Sequence, residues 1–500
     1  MESEKKMLLD VDEFPKKKSQ AFILALQHVL AMFVACITVP LLAFAGYVTK
    51  DGQSLTQLMI APTLVAAGVG TLFYLILTKF KSPMFLASSF AYISPMMAAL
   101  AIGSTVVTSS EGVVLGNCPN LWILPIGMAM VGIVYCIVAL FIKIFGVGWL
   151  NKLLPPIVVG PVIMVIGLSL ASSAISNLNG TSSGDYNLIK ILCGLSAMVA
   201  TALSAHYGKG TVSLIPFVIG MAVGYLVALI FTLIGYTWLG NSYFEIIDFS
   251  PIIKNFSPVT FTSFFDYPRF LFLLNDSSVP LTWSAVGQAA LLFIPVSFVT
   301  ICEHVGDHKN MSGILGKDLL TDPGLSKTLA GDGIATALSG VMCGAANTTY
   351  GENVAVVGVT KIASTKVIVL ACFMAIALGF ISPLMSFTET IPACVTGGVS
   401  LILYGFIAAS GVKMLINEHI DMGKTKNIFV ASVILVSGIG GLTLSFGNSG
   451  GSPIVEITSV AVSMILGVIM NLILKDKKED VKKEAPAVEA KKDSPVVETK

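Results

Sequence analysis

The chain has 500 residues, 55% hydrophobic and 12% charged, with a mean hydropathy of +0.85. Soluble domains carry roughly 25% charged residues, so the composition excludes a soluble enzyme or binding module and describes a chain that crosses a bilayer many times. The net charge of +1 gives no sign of nucleic acid as a partner.

Residues 1–20 form a charged N-terminal segment. No small-residue cleavage site follows the first apolar run, which reads as a retained span rather than a signal peptide. Fourteen apolar segments follow, near 21–46, 57–78, 84–102, 121–142, 155–175, 188–206, 213–236, 285–304, 327–345, 352–362, 367–388, 391–412, 427–446 and 454–474. Most approach the roughly 20 residues that a bilayer core requires. The third is interrupted by Ala87-Ser88-Ser89-Phe90, and the tenth is too short to span as a helix alone. Short or broken segments point to a transporter's binding site. The expected organisation is a seven-segment unit over 21–238, an outer loop over 239–284 packed on the bundle, a second seven-segment unit over 285–474 and a disordered tail over 475–500.

An even number of spans puts both termini on the cytoplasmic side. All but four of the 30 basic residues then lie inside, the exceptions being Lys50, Lys190, Lys254 and Arg269, as the positive-inside rule requires. The eight cysteines show no CxxC spacing or paired framework and read as buried small hydrophobes.

The two units share residues. Pro155 to Ser173 lies on Pro392 to Ser410 without a gap, matching Pro155/Pro392, Val158/Val395, Gly160/Gly397, Val162/Val399, Ala171/Ala408 and Ser173/Ser410. Gln27-His28-Val29 in the first segment answers Glu303-His304-Val305 in the eighth. Each pair is seven segments apart, and an odd separation reverses orientation, so the units are expected as inverted repeats. The broken third and tenth segments correspond under the same offset. Each is expected to be a short extended strand leading into a half-helix, whose N-terminus offers free N–H groups and a positive dipole end. Phe90 and Gly351 are the expected backbone donors.

Two acidic clusters stand out in this apolar setting: Glu303-His304-Val305-Gly306-Asp307-His308, and Glu352-Asn353 after Tyr350-Gly351. Carboxylates inside a membrane bundle are expensive to hold and mark functional sites. Glu303 and Glu352 are the central pair, as acceptors for a ligand bearing N–H groups. An amino acid or a sugar is compatible. A planar ring alternating N–H and C=O, such as uracil, matches two carboxylates and two backbone N–H groups better. Tyr350, Phe90 and Tyr404 are candidates to close its faces. His28 either lines the cavity or bonds a neighbouring helix, and Asp332 is expected at the cytoplasmic mouth.

The run Asn347-Thr348-Thr349-Tyr350-Gly351, followed by Glu352 to Lys361, carries a resemblance. So do Glu303 to Gly306, Ala87 to Phe90, Lys317 to Leu320 with Asp322-Pro323-Gly324, and Gly397 to Ser400 with Tyr404-Gly405. The chain resembles the nucleobase:cation symporter family, also called nucleobase–ascorbate transporters, and within it the bacterial uracil permease branch. The resemblance implies an all-α membrane protein of about fourteen segments in a seven-plus-seven inverted repeat. Segments one to four and eight to eleven form a core domain; the others form a gate domain that mediates a homodimer. It also implies uracil import by proton symport, with no cofactor beyond the coupling proton. By similarity, Glu303 and Glu352 hold uracil, Phe90 and Gly351 supply backbone amides, and Tyr350 and Tyr404 pack against the ring. Glu303 is the protonation point.

Two positions depart from the family pattern. Ala355 stands where Gly is usual, and Asp307, followed by His308, stands where uracil permeases carry a His. Asp307, His308 or Glu303 is therefore left to carry the proton. Glu352 favours uracil over the xanthine or purine substrates of other branches. A passive channel is the alternative of a different class. A membrane enzyme is not supported, since no HExxH or phosphate-binding Gly-Lys-Ser/Thr loop occurs.

Overall fold

Within a bilayer every backbone N–H and C=O must be satisfied internally, so apolar runs fold as helices. The computed structural model describes residues 7–109, 114–180, 186–270, 281–449 and 452–474. The tail expected to be disordered, 475–500, lies outside them, as do parts of the N-terminal segment and of the outer loop.

The first unit runs α1 (Lys18–Ala43), α2 (Leu55–Leu77), β1 (Leu86–Ser88), α3 (Ile93–Ala101), β2 (Thr105–Thr108), β3 (Val114–Cys118), α4 (Ile123–Phe145), α5 (Gly148–Leu153), α6 (Pro156–Ser169), α7 (Ala171–Asn179), α8 (Leu188–Tyr207) and α9 (Pro216–Ile234). After the small α10 (Ser250–Asn255) come α11 (Trp283–Leu315), α12 (Leu325–Val341), β4 (Asn347–Thr349), α13 (Gly351–Thr360), α14 (Thr365–Leu378), α15 (Ser382–Glu389), α16 (Ala393–Asn417), α17 (Thr425–Ile439), β5 (Leu444–Ser449), β6 (Ser452–Ile457) and α18 (Ser459–Ile473). Among the described residues, eight helices are long and apolar enough to cross a membrane, the α6–α7 pair counting as one, and four further apolar helices are shorter. The chain is a multi-pass membrane protein.

Three local features differ from the sequence expectations. The eighth segment does not end near residue 304, because α11 continues to Leu315. Glu303 is therefore two-thirds of the way along a helix rather than at its end. Two antiparallel hairpins, β2–β3 and β5–β6, flank the helices. The second takes residues from the ends of both expected final spans, leaving α17 and α18 at 15 residues each. The β2–β3 connection carries no two-residue turn signal, whereas Gly450-Gly451 between β5 and β6 is one that the apolar-run reading passed over.

The broken segments meet as expected. β1 and β4 pair antiparallel, with Leu86 opposite Thr349, Ala87 opposite Thr348 and Ser88 opposite Asn347. All six residues are buried. The ladder is extended by Ser89 N donating to Ala346 O at 2.8 Å and Tyr350 N to Phe85 O at 3.2 Å. Extended backbone at this depth survives because its polar groups satisfy one another.

Small residues let the helices approach. A Cβ on Gly411 of α16 would stand 2.3 Å from Gly160 O of α6, and one on Gly398 would stand 1.9 Å from Gly194 O of α8. Membrane helices gain their contact by such backbone proximity rather than by hydrophobic transfer. At the face carrying the N-terminus, Leu8 N and Leu9 N donate to Lys361 O, and Ala363 N donates back to Leu9 O. That strap is pinned by Lys317–Asp10 at 2.6 Å. At the opposite face the outer loop does pack on the bundle: Ser382 Oγ donates to Asn255 Oδ1 at 2.8 Å, and Phe265 bridges Ile381.

Candidate functional site

The ladder places two helix starts back to back. Ser89 and Tyr350 are the extended residues before each start, and Phe90 and Gly351 the first past it. The first N–H groups of a helix have no partner within it and carry the positive dipole end. Glu352 follows in the first turn of α13, where a carboxylate is favoured.

Helix α11 runs past these starts. Glu303 and Asp307, four residues apart, share one face. Asp307 Oδ1 would lie 3.5 Å from a Cβ on Gly351. Glu303 feels the charges of Asp307, Glu352 and Asp332, and Glu352 that of Asp307. Gly351 is exposed, and Glu303, Asp307 and Glu352 are half-buried.

Among the described residues, Asp307 Oδ2 at this place lacks a hydrogen-bond partner. An unpaired buried polar group costs about 1–3 kcal/mol. Acceptors on side chains facing donors on two helix starts suit a ligand that both donates and accepts. A cavity of about 60 Å³, lined by Cys302, Gly306, Val159 and Met414, lies beside α11. The Lys309–Glu418 ion pair, 3.0 Å between α11 and the end of α16, stands at it.

The other expected residues fall into separate environments. Phe90 and Tyr350 are buried, and Tyr350 lies near Glu352 and Cys36. Tyr404 is buried on α16, beside Ser400, with its carbonyl against Gly167 of α6. Among the described residues its hydroxyl makes no hydrogen bond to the carboxylates. His28 bonds a neighbouring helix: Asn353 Nδ2 lies 3.4 Å from its Nδ1 and donates to its carbonyl at the same distance. His308 turns away from Asp307, its Nε2 2.7 Å from Tyr74 Oη and its Nδ1 2.8 Å from His304 O.

Asp332 is not at a mouth. It has no exposed surface, and its Oδ2 lies 2.7 Å from His304 Nδ1. The glycines around it, Gly331 and Gly333, are set against Tyr74 and Tyr135, so the polar look of that stretch reflects tight helix packing rather than solvent. Sequence reasoning gave His304, Tyr74, Thr348 and Thr349 no role. The one available signal was the four-residue spacing of His304 and His308, which puts both rings on one helical face. Among the described residues no cluster of His, Cys, Asp and Glu has the arrangement of a metal site.

Comparison with known proteins gives three consistent results. A family model described as Permease family matches residues 19–446. The chain is 38% identical to the uracil permease of Bacillus caldolyticus, over 94% of this chain and 95% of that protein. It is 36% identical to the uracil permease of Bacillus subtilis (strain 168), over 96% and 98% respectively. In structure it is similar to the murine Solute Carrier 26 family member A9 anion transporter in the inward-facing state, with a TM-score of 0.61 at 10% identity, covering 92% of this chain and 69% of that one. A likeness at such low identity concerns the fold.

Proposed function

The chain belongs to the permease family, and from that premise we propose that it imports uracil across the cytoplasmic membrane by proton symport. Relatives named uracil permease, matched along almost their whole length, support the substrate. The observation that carries the reading is the site itself: Glu303 and Glu352 stand beside the starts of two half-helices joined back to back by the β1–β4 ladder. Uracil presents two N–H groups and two carbonyls in one plane. The carboxylates accept from the N–H groups, and the amides of Phe90 and Gly351 donate to the carbonyls. Tyr350 closes one face of the ring, and Tyr404 approaches from the gate.

In this reading the fourteen segments form a seven-plus-seven inverted repeat. The β1–β4 pair and the antiparallel approach of α6 and α16 are its two internal pairings. Segments one to four and eight to eleven are the core, the rest the gate, and rocking of one against the other gives alternating access. The gate is also the homodimer surface, and both termini are cytoplasmic. Glu303 and Asp307 take the proton on the substrate side, and no cofactor beyond that proton is needed.

Isothermal titration of the purified protein tests the site. Uracil should bind, with xanthine and adenine at least tenfold weaker. Equal or tighter binding of xanthine would move the chain to the purine branch.

A further inference from the structure

Behind the ladder, on the face of β4 opposite Asp307, lies a pair of ionisable groups that the transport reading leaves idle. His304 and Asp332 are both without exposed surface. His304 Nδ1 is 2.7 Å from Asp332 Oδ2, and its Nε2 is 3.0 Å from Thr328 Oγ1. Thr348 Oγ1 donates to the same Asp332 oxygen at 3.3 Å. We propose that His304 and Asp332 together form a second proton site, one layer behind Glu303 and Asp307, whose state is passed to the substrate side through β4. The proposal rests on the proton-symport reading.

The hydrogen-bond inventory carries the argument. With one proton on the pair, Nδ1–H donates to the ionised Asp332 and Nε2 accepts from the Thr328 hydroxyl. When a second proton arrives, Nε2–H donates to the Thr328 oxygen, and that hydroxyl turns to Leu325 O, 3.1 Å away. In both states every hydrogen has an acceptor, and the arriving charge has a carboxylate beside it, which a buried ion needs. The site therefore gains one proton by a hydroxyl rotation alone.

His308 lacks these means. Its Nδ1–H is committed to His304 O, so Nε2 accepts from the Tyr74 hydroxyl, which in turn accepts from Ser82, 2.8 Å away. Protonating Nε2 would reverse that chain and bury an imidazolium with no carboxylate bonded to it. The two imidazoles also stack at 4.1 Å between centroids, so charge on one opposes charge on the other.

β4 links the two layers. Successive strand residues point to opposite faces. Thr348 bonds Asp332, while the Thr349 hydroxyl faces Asp307 without closing a hydrogen bond of ordinary geometry. A change on the pair thus alters what holds the strand that ends at Tyr350 and Gly351. The ionisable groups around the pair are Glu303, Asp307 and His308 of α11, Tyr74 of α2, Tyr92 after β1 and Tyr135 of α4.

The test is uracil-driven proton uptake into proteoliposomes, read with a pH-sensitive dye from pH 5 to 8 alongside radiolabelled uracil exchange. His304→Gln can still donate to Asp332 but cannot take a proton. It should lower the protons moved per uracil at least fivefold and flatten the pH profile, while exchange persists. Thr328→Val removes the rotating hydroxyl in a smaller step and should shift the midpoint of the profile by at least half a pH unit. It decides the matter if His304→Gln fails to fold. Parent-like proton uptake and an overlaying profile in the folded variants would overturn the proposal. No proton uptake by the parent would instead overturn the symport reading beneath it.

Discussion

The Asp307 carboxylate lies against the main chain of Gly351, its Oδ1 3.5 Å from where a Cβ would stand. The residue that departs from the family's histidine is thus neither a solvated helix end nor remote from the half-helix start. It shares a face of α11 with Glu303, four residues earlier, and two carboxylates so placed interact strongly. Asp307→Asn should shift the pH profile of uracil uptake between pH 5 and 8 while changing uracil affinity less than about threefold, or under 1 kcal/mol. A profile overlaying the parent's would show that Asp307 takes no part in coupling.

Glu352 makes the complementary prediction for binding. A bond from a ligand N–H to a charged acceptor contributes about 1.5–3 kcal/mol. Glu352→Gln should therefore weaken uracil binding about tenfold or more, measured by titration calorimetry. Unchanged affinity would remove Glu352 from the site.

Sequence and structure agree most where physics leaves one option. The ladder was legible because Ala87-Ser88-Ser89 and Asn347-Thr348-Thr349 cannot form spanning helices alone, and Glu303 and Glu352 drew notice because a carboxylate in lipid needs a reason. Asp332 was misplaced because one sequence does not show which helix faces it. Its partner His304 is 28 residues away, and only the packing of α12 beside α11 joins them. The β5–β6 hairpin was missed because Leu444, Phe446, Ile454 and Val455 read equally well as the ends of apolar spans.

Glu389 gives a pH-dependent stability away from the site. It is the last residue of α15, beyond the apolar α14, and burial pushes its carboxyl up to about 7, with Lys254 opposing. Gln57 Nε2 donates to it at 2.6 Å. The folded state holds this proton more tightly than the unfolded state, so stability falls as pH rises from 4.5 to about 7. Glu389→Gln keeps an acceptor for Gln57 and removes the charge. It should raise the Tm at pH 8 by roughly 1–2 °C and leave it unchanged at pH 4.5, by thermal unfolding in detergent. Equal effects at both pH values would contradict this account.

The α6–α16 crossing depends on missing side chains. A Cβ at Gly411 would stand 2.3 Å from Gly160 O, and neither partner is a flexible side-chain tip that can move aside. Gly411→Ala should destabilise the protein by about 1–3 kcal/mol, as overpacking does. Gly405→Ala, on the same helix with open space around it, is the control and should change little.

Proton-coupled uracil import is tested most directly by radiolabelled uracil uptake into proteoliposomes holding an imposed inward proton gradient. Accumulation above the external concentration, abolished by a protonophore and competed by unlabelled uracil but not by xanthine or adenine, is the predicted result. Uptake that only equilibrates, and is indifferent to the protonophore, would contradict symport and make the chain a passive conductor.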